Sequence, residues 1–196
     1  DNFMNDKLKL TLIIGGIGLL LIGSSLLYHK LTANPEIAQK TESPTNQQGS
    51  DDEDSETVPY MNFTVYDKDK QPVTLSSFVG KPIILNFWAS WCGPCQSEMP
   101  DFEEIYNKYN GQIEFLMINL TDGGRETLDT ASDYIKKQQF HFPVYYDLDM
   151  TASSTYFVSS IPQTFFINAD GQIVSYAKGA MTKSAMEDQI KRILND

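Results

Sequence analysis

Cys92 and Cys95 are the only cysteines in the chain, and Gly93 and Pro94 separate them. Two thiols three residues apart can hold half of a metal site, close a structural disulfide, or exchange electrons with other disulfides. Tetrahedral zinc needs four ligands, and the remaining soft donors are only His29 and His141. A purely structural bridge would close so short a loop that it removes little entropy from the unfolded chain. Exchange chemistry fits better, because the apolar run Ile83 to Trp88 reads as a buried strand and an amphipathic helix is expected from about Cys92. A cysteine in the first helical turn faces unpaired backbone N–H groups and the positive end of the helix dipole, which favour thiolate over thiol. Cys92 is therefore the expected nucleophile. Cys95, one helical turn on, is placed to attack a mixed disulfide at the first sulfur and release the reduced product.

The elements that must position this pair follow in order. Tyr60 to Val65 and Pro72 to Leu75 flank the polar turn Asp67-Lys68-Asp69-Lys70 and predict an N-terminal β-hairpin, with Ser76 or Ser77 capping a short turn before Gly80. After the strand Ile83 to Phe87 comes the Cys92 helix, running to about Tyr109 with Met99, Phe102, Ile105 and Tyr106 inward and a bend at Pro100. Ile113 to Leu120 predicts a second buried, parallel strand, and residues 124–138 a helix with Leu128, Ala131, Tyr134 and Ile135 inward. Phe142 to Tyr146 is a short apolar segment and Met150 to Phe157 a short helix. Thr164 to Ile167 and Ile173 to Tyr176 form a strand pair around Asp170-Gly171, and residues 182–194 a closing helix with Met186, Ile190 and Ile193 inward. This order predicts an α/β domain with a mixed central sheet and helices on both faces.

The segment Asn86-Phe87-Trp88-Ala89-Ser90-Trp91-Cys92-Gly93-Pro94-Cys95, followed by Glu98 and Pro100, resembles the thioredoxin superfamily, and within it the membrane-anchored TlpA-like and ResA-like branch. A second match lies in Ser160-Ile161-Pro162-Gln163-Thr164-Phe165-Phe166-Ile167, followed by Asp170-Gly171. The likeness covers about residues 58 to 196 and implies a thioredoxin-like fold. It also implies that Pro162 is cis and opposite the disulfide, with the backbone of Ile161 pairing with the substrate chain. Gly93 and Pro94 match the pair found in reducing thioredoxins and border the same substrate surface. Trp91 is expected to be a surface aromatic that shields the disulfide and receives peptides. Asn86 departs from ordinary thioredoxins, whose aspartate at this buried position helps move the resolving cysteine's proton. Glu98 is the expected substitute, since it lies three residues after Cys95 on nearly the same helix face and matches an acidic position used by ResA-like proteins. Ordinary packing is expected of Trp88, and His141 reads as a loop or strand-edge residue.

Residues 1–31 predict a membrane anchor: Leu10 to Tyr28 carries no charged residue and, at about 1.5 Å per residue, is long enough to cross a bilayer core of about 30 Å. Leu31-Thr32-Ala33 is a poor cleavage site, which favours an uncleaved helix over a secretory signal. Lys7 and Lys9 before the helix, with an acidic segment after it, place the N-terminus inside and the domain outside the cytoplasm. Residues 32–57 are rich in Thr, Asn, Gln, Ser, Pro and Gly and turn acidic through Asp51-Asp52-Glu53-Asp54, which predicts a disordered linker reaching about 30 Å. The formal net charge of −11 leaves no basic patch for nucleic acid.

The function expected is that of a membrane-tethered extracytoplasmic thiol-disulfide oxidoreductase, reducing disulfides in exported proteins through a Cys92–Cys95 cycle. It would work as a monomer, without metal or organic cofactor. The resemblance implies an electron donor of the CcdA or DsbD type, and targets such as apocytochrome c, as in cytochrome c maturation, or an extracellular methionine sulfoxide reductase or peroxidase. Three other readings stay open: a disulfide-forming oxidase, a thiol peroxidase, and a non-catalytic redox-controlled binding module or chaperone.

Overall fold

In the computed structural model, residues 58–195 are described, and the anchor expected over 10–28 and the linker expected over 32–57 lie outside them. Among the described residues no helix is long and apolar enough to cross a membrane. Strands β1 (Val58–Pro59), β2 (Thr64–Tyr66) and β3 (Pro72–Thr74) precede a 3-10 turn, Leu75–Phe78. The chain continues through β4 (Ile83–Trp88), α1 (Gly93–Tyr109), β5 (Glu114–Asn119), α2 (Leu128–Gln138) and β6 (Val144–Tyr146). It closes with α3 (Thr151–Thr155), β7 (Gln163–Ile167), β8 (Gln172–Lys178) and α4 (Lys183–Asn195).

All eight strands form one mixed sheet in the order β1-β8-β7-β4-β5-β6-β2-β3. β4 runs parallel to β5 and antiparallel to β7, so its C-terminal end, where the cysteines follow, is flanked by Asn119 on one side and Gln163 on the other. Every residue of β4 is buried, as a continuous apolar run covered on both faces requires. Alternation then divides the core. Ile84 and Trp88 point into a cluster with Met99, Phe102 and Ile105 of α1 and Met186, Ile190 and Ile193 of α4. Ile83, Leu85 and Phe87 point to the opposite face, against Ala152 and Tyr156 at α3. Each such side chain contributes about 1.5–3 kcal/mol when fully buried.

Several element ends differ from expectation for local reasons. Cys92 is the N-cap of α1 rather than a residue within its first turn, because its sulfur accepts the Cys95 N–H at 3.2 Å. α2 starts at Leu128 instead of residue 124. Asp122 Oδ1 accepts the N–H groups of Gly124 (2.8 Å) and Glu126 (3.0 Å), folding these residues into a loop, and Thr127 then caps the helix reciprocally with Thr130. Neither Ser76 nor Ser77 caps the 3-10 turn; Thr74 occupies that position without a side-chain cap, and Ser77 Oγ donates to Thr74 O. α3 stops at Thr155, two residues before the expected end.

Candidate active site

Cys92 and Cys95 are joined by a disulfide with an Sγ–Sγ distance of 2.07 Å. Their exposures differ: Cys92 keeps 5% of its surface and Cys95 none. Of the pair, Cys92 is the one that retains any surface for a partner to approach. The turn that carries Cys92 is held from behind, since Cys92 N donates to Ala89 O at 3.2 Å and Gln96 Nε2 donates to Ser90 O. On the open side Cys92 Sγ lies 3.7 Å from Ile161 O, and the Ile161–Pro162 bond is cis. The carbonyl before the proline thus flanks the reactive sulfur. Pro162 O in turn accepts the Gly179 N–H at 2.8 Å, which ties this loop to the end of β8.

Gly93 and Pro94 occupy the first turn of α1 on the exposed side. Trp91 is 40% exposed, and the Arg125 guanidinium lies 3.7 Å from its ring centroid, a cation–π stack that fixes the indole plane. Trp91, Leu120, Val158, Ser159, Ser160 and Ile161 line a groove of about 370 Å³ beside the disulfide. Trp88, by contrast, is fully buried.

Glu98 is a buried carboxyl with 2% exposure, one helical turn beyond Cys95. Its Oε1 accepts from Asn86 Nδ2 at 3.1 Å and its Oε2 from Met181 N at 3.0 Å. Burial pushes its pKa up to about 7, against the lowering effect of those two hydrogen bonds, with Asp101 adding a smaller upward push. Asn86 also donates to Thr164 Oγ1 at 2.9 Å, its direct cross-strand neighbour, so this amide links the carboxyl to the strand that follows Pro162. Glu98 is thus a buried carboxyl with a pKa near neutrality, one helical turn from the buried Cys95.

Glu126 is a residue the sequence did not point to. It is fully buried, and its Oε1 accepts from Ser90 N and Asn119 Nδ2, both at 2.9 Å, while its Oε2 accepts from Ser90 Oγ at 2.7 Å. A single side chain thereby ties the turn before Cys92 to the end of β5. No spacing in the polar stretch Asp122-Gly123-Gly124-Arg125-Glu126 marks it. His141 lies in a loop, as expected, yet has a partner that spacing gave no reason to foresee: its Nδ1 and backbone N both sit 2.8 Å from the Glu103 carboxylate. Among the described residues no group of three His, Cys, Asp or Glu side chains could hold a metal.

Residues 57–176 match the AhpC/TSA family. The chain is 35% identical over 133 residues to the thiol-disulfide oxidoreductase ResA of Bacillus thuringiensis subsp. konkukian, an alignment covering 67% of this chain and 75% of that one. It is 33% identical over 133 residues to ResA of Bacillus subtilis, covering 67% and 72%. Among solved structures it is similar to the pneumococcal exposed lipoprotein thioredoxin Etrx1 of Streptococcus pneumoniae, with 28% identity and a TM-score of 0.60 over 67% of this chain and 99% of that one. Those matches span the sheet that carries the two sulfurs, and the chain accordingly belongs to the AhpC/TSA family, with a thioredoxin-like fold and the activity of a thiol-disulfide oxidoreductase whose redox group is its own cysteine pair.

Proposed function

We propose that this oxidoreductase works as a reductase of disulfides in exported proteins, tethered to the outer face of the cell membrane by residues 10–28 and acting as a monomer. The Cys92 thiolate attacks one sulfur of a client disulfide, and the other client sulfur leaves as a thiolate. Cys95 then gives its proton to Glu98 and attacks Cys92 Sγ. The Cys92–Cys95 bond forms, the second client sulfur departs, and two electrons have passed to the client. Trp91, Gly93, Pro94 and Ile161 border the client chain during this exchange, and Pro162 holds the Ile161 carbonyl beside the sulfur. A membrane donor of the CcdA or DsbD type would restore the dithiol, and apocytochrome c is one client class compatible with the scheme.

The observation that carries the reducing direction is the N-cap. A strong oxidant requires a heavily stabilised reduced form. Here Cys92 Sγ receives one main-chain hydrogen bond, from Cys95 N, and the neighbouring titratable group on its own helix is the carboxyl of Glu98. That sparse set of partners around the sulfur, in the disulfide form, supports a couple toward the reducing end. Equilibration of the full chain in defined thiol buffers tests this. A potential near about −270 mV is expected, and one near about −120 mV would make the protein a disulfide-forming oxidase instead.

A further inference from the structure

Phe157 occupies a backbone position that suits glycine and gains little burial there. The hydrogen bonds after α3 define the reason: Phe157 N donates to Ser154 O at 3.2 Å and Val158 N to Ser153 O at 2.9 Å. That pairing is a Schellman termination, in which the residue after the cap takes the left-handed conformation and is usually glycine. Phe157 has φ of +50°, and for a bulky side chain this region is strained. The residue is 78% exposed, the most open of the large apolar residues among those described. A benzyl group at this position therefore opposes folding at the backbone and returns little through packing. Strain combined with an exposed aromatic is the pattern of a residue kept for contact with something else.

Its place in the fold identifies what that is. Val158, the next residue, is a wall of the groove that runs past Trp91 to Ile161, and Ile161 O is the atom 3.7 Å from Cys92 Sγ. Ile161 lies four positions after Phe157, a reach of at most about 14 Å. A polypeptide whose cystine sulfur meets Cys92 must lay its flanking residues on this surface. On the far wall Arg125 stacks on Trp91.

We infer that Phe157 is a docking anchor for the apolar residues flanking the cystine of an extended client segment, so that the enzyme prefers disulfides set in apolar sequence. The inference rests on the client-reductase reading above. The test uses the full chain in detergent, reduced, with two synthetic peptide disulfides that differ only at positions two to four from the cysteine, Leu, Val and Phe in one and Ser and Gly in the other. The unsubstituted chain should react with the apolar peptide about tenfold faster, on the scale of burying part of one aromatic side chain. Phe157→Ala and Phe157→Gly should each bring that ratio close to one, and Phe157→Leu should retain most of it. The Gly variant should melt a few degrees, about 3 °C, above the Ala variant, because only glycine relieves the left-handed backbone.

A ratio unaltered by both variants overturns the inference, whether Phe157 then meets the electron donor, the bilayer or nothing. Loss of the ratio in the Gly variant alone also overturns it, since backbone freedom rather than the ring would be responsible. Failure of the unsubstituted chain to react with either peptide removes the client-reductase reading along with it, whereas equal reaction with both removes only the docking role.

Discussion

Replacing Glu98 with glutamine separates a proton acceptor from a buried polar residue that merely fills space. Burial raises the Glu98 pKa from 4.5 to about 7, which corresponds to about 3 kcal/mol of differential stabilisation of the protonated form. Between those two values the folded protein holds a proton that the unfolded chain has lost. Stability should therefore fall as pH rises from about 4.5 to 7 and level off above. Glutamine cannot titrate, so this component of the slope should vanish in Glu98→Gln. The absolute stability at pH 8 is a poorer guide. Both Glu98 oxygens accept hydrogen bonds, and an amide must turn its NH₂ toward either Asn86 or Met181, which costs about 1–3 kcal/mol and offsets the relief of burying a charge. The kinetic readout is resolution of the mixed disulfide, followed by rapid acid quench after Cys92 has been loaded with a peptide thiol. In the unsubstituted chain the rate should climb through an inflection near pH 7. In Glu98→Gln the inflection should disappear and the plateau should fall about 100-fold, the lower end of what a positioned general base contributes. An inflection near pH 7 that survives in Glu98→Gln would refute the assignment of Glu98 as proton acceptor, whatever happened to stability.

Three further predictions address the rest of the site and its support. Cys95→Ser should accumulate mixed disulfides through Cys92, visible as reducible adducts on non-reducing gels; adducts that persist when Cys92 is also replaced by serine would point to non-redox binding. Glu126→Gln leaves a donor facing Ser90 or Asn119, so it should lower stability by about 1–3 kcal/mol and, by loosening the turn two residues before Cys92, slow the attack of Cys92 on a peptide disulfide. If that rate matched the unsubstituted chain while melting fell, Glu126 would be a purely structural group. Gly171→Ala should be destabilising by about 1–2 kcal/mol or more, because φ is +80° there and the added Cβ would lie 2.8 Å from Tyr60 Cδ1. An unchanged melting temperature would mean that Tyr60 yields freely.

Short-range patterns in the chain carried much of this architecture. The largely apolar run Ile83 to Trp88, short and followed by Gly93-Pro94, reads as a strand covered on both faces, and the spacing of Met186, Ile190 and Ile193 selects the buried side of α4 without knowledge of what covers it. Spacing likewise placed Glu98 on the face of Cys95. What spacing cannot supply is depth. Whether a glutamate one turn past a cysteine is solvated or enclosed depends on Met181, which approaches it from 83 residues away, and on Asn86 from the strand beneath. Glu126 was invisible for the same reason, since its donors meet only when parallel pairing sets Asn119 beside Trp88 and so next to the turn at Ser90. Phe157 fails differently: tyrosine and phenylalanine in succession look like the end of an amphipathic helix, and nothing local announces that the chain has passed into the left-handed region one residue after the cap. The chemistry of this protein thus lies where a locally readable motif meets residues delivered by remote segments. The carboxyl of Glu98 acquires its raised pKa, and Phe157 its exposed left-handed position, only after the sheet has assembled around the two sulfurs.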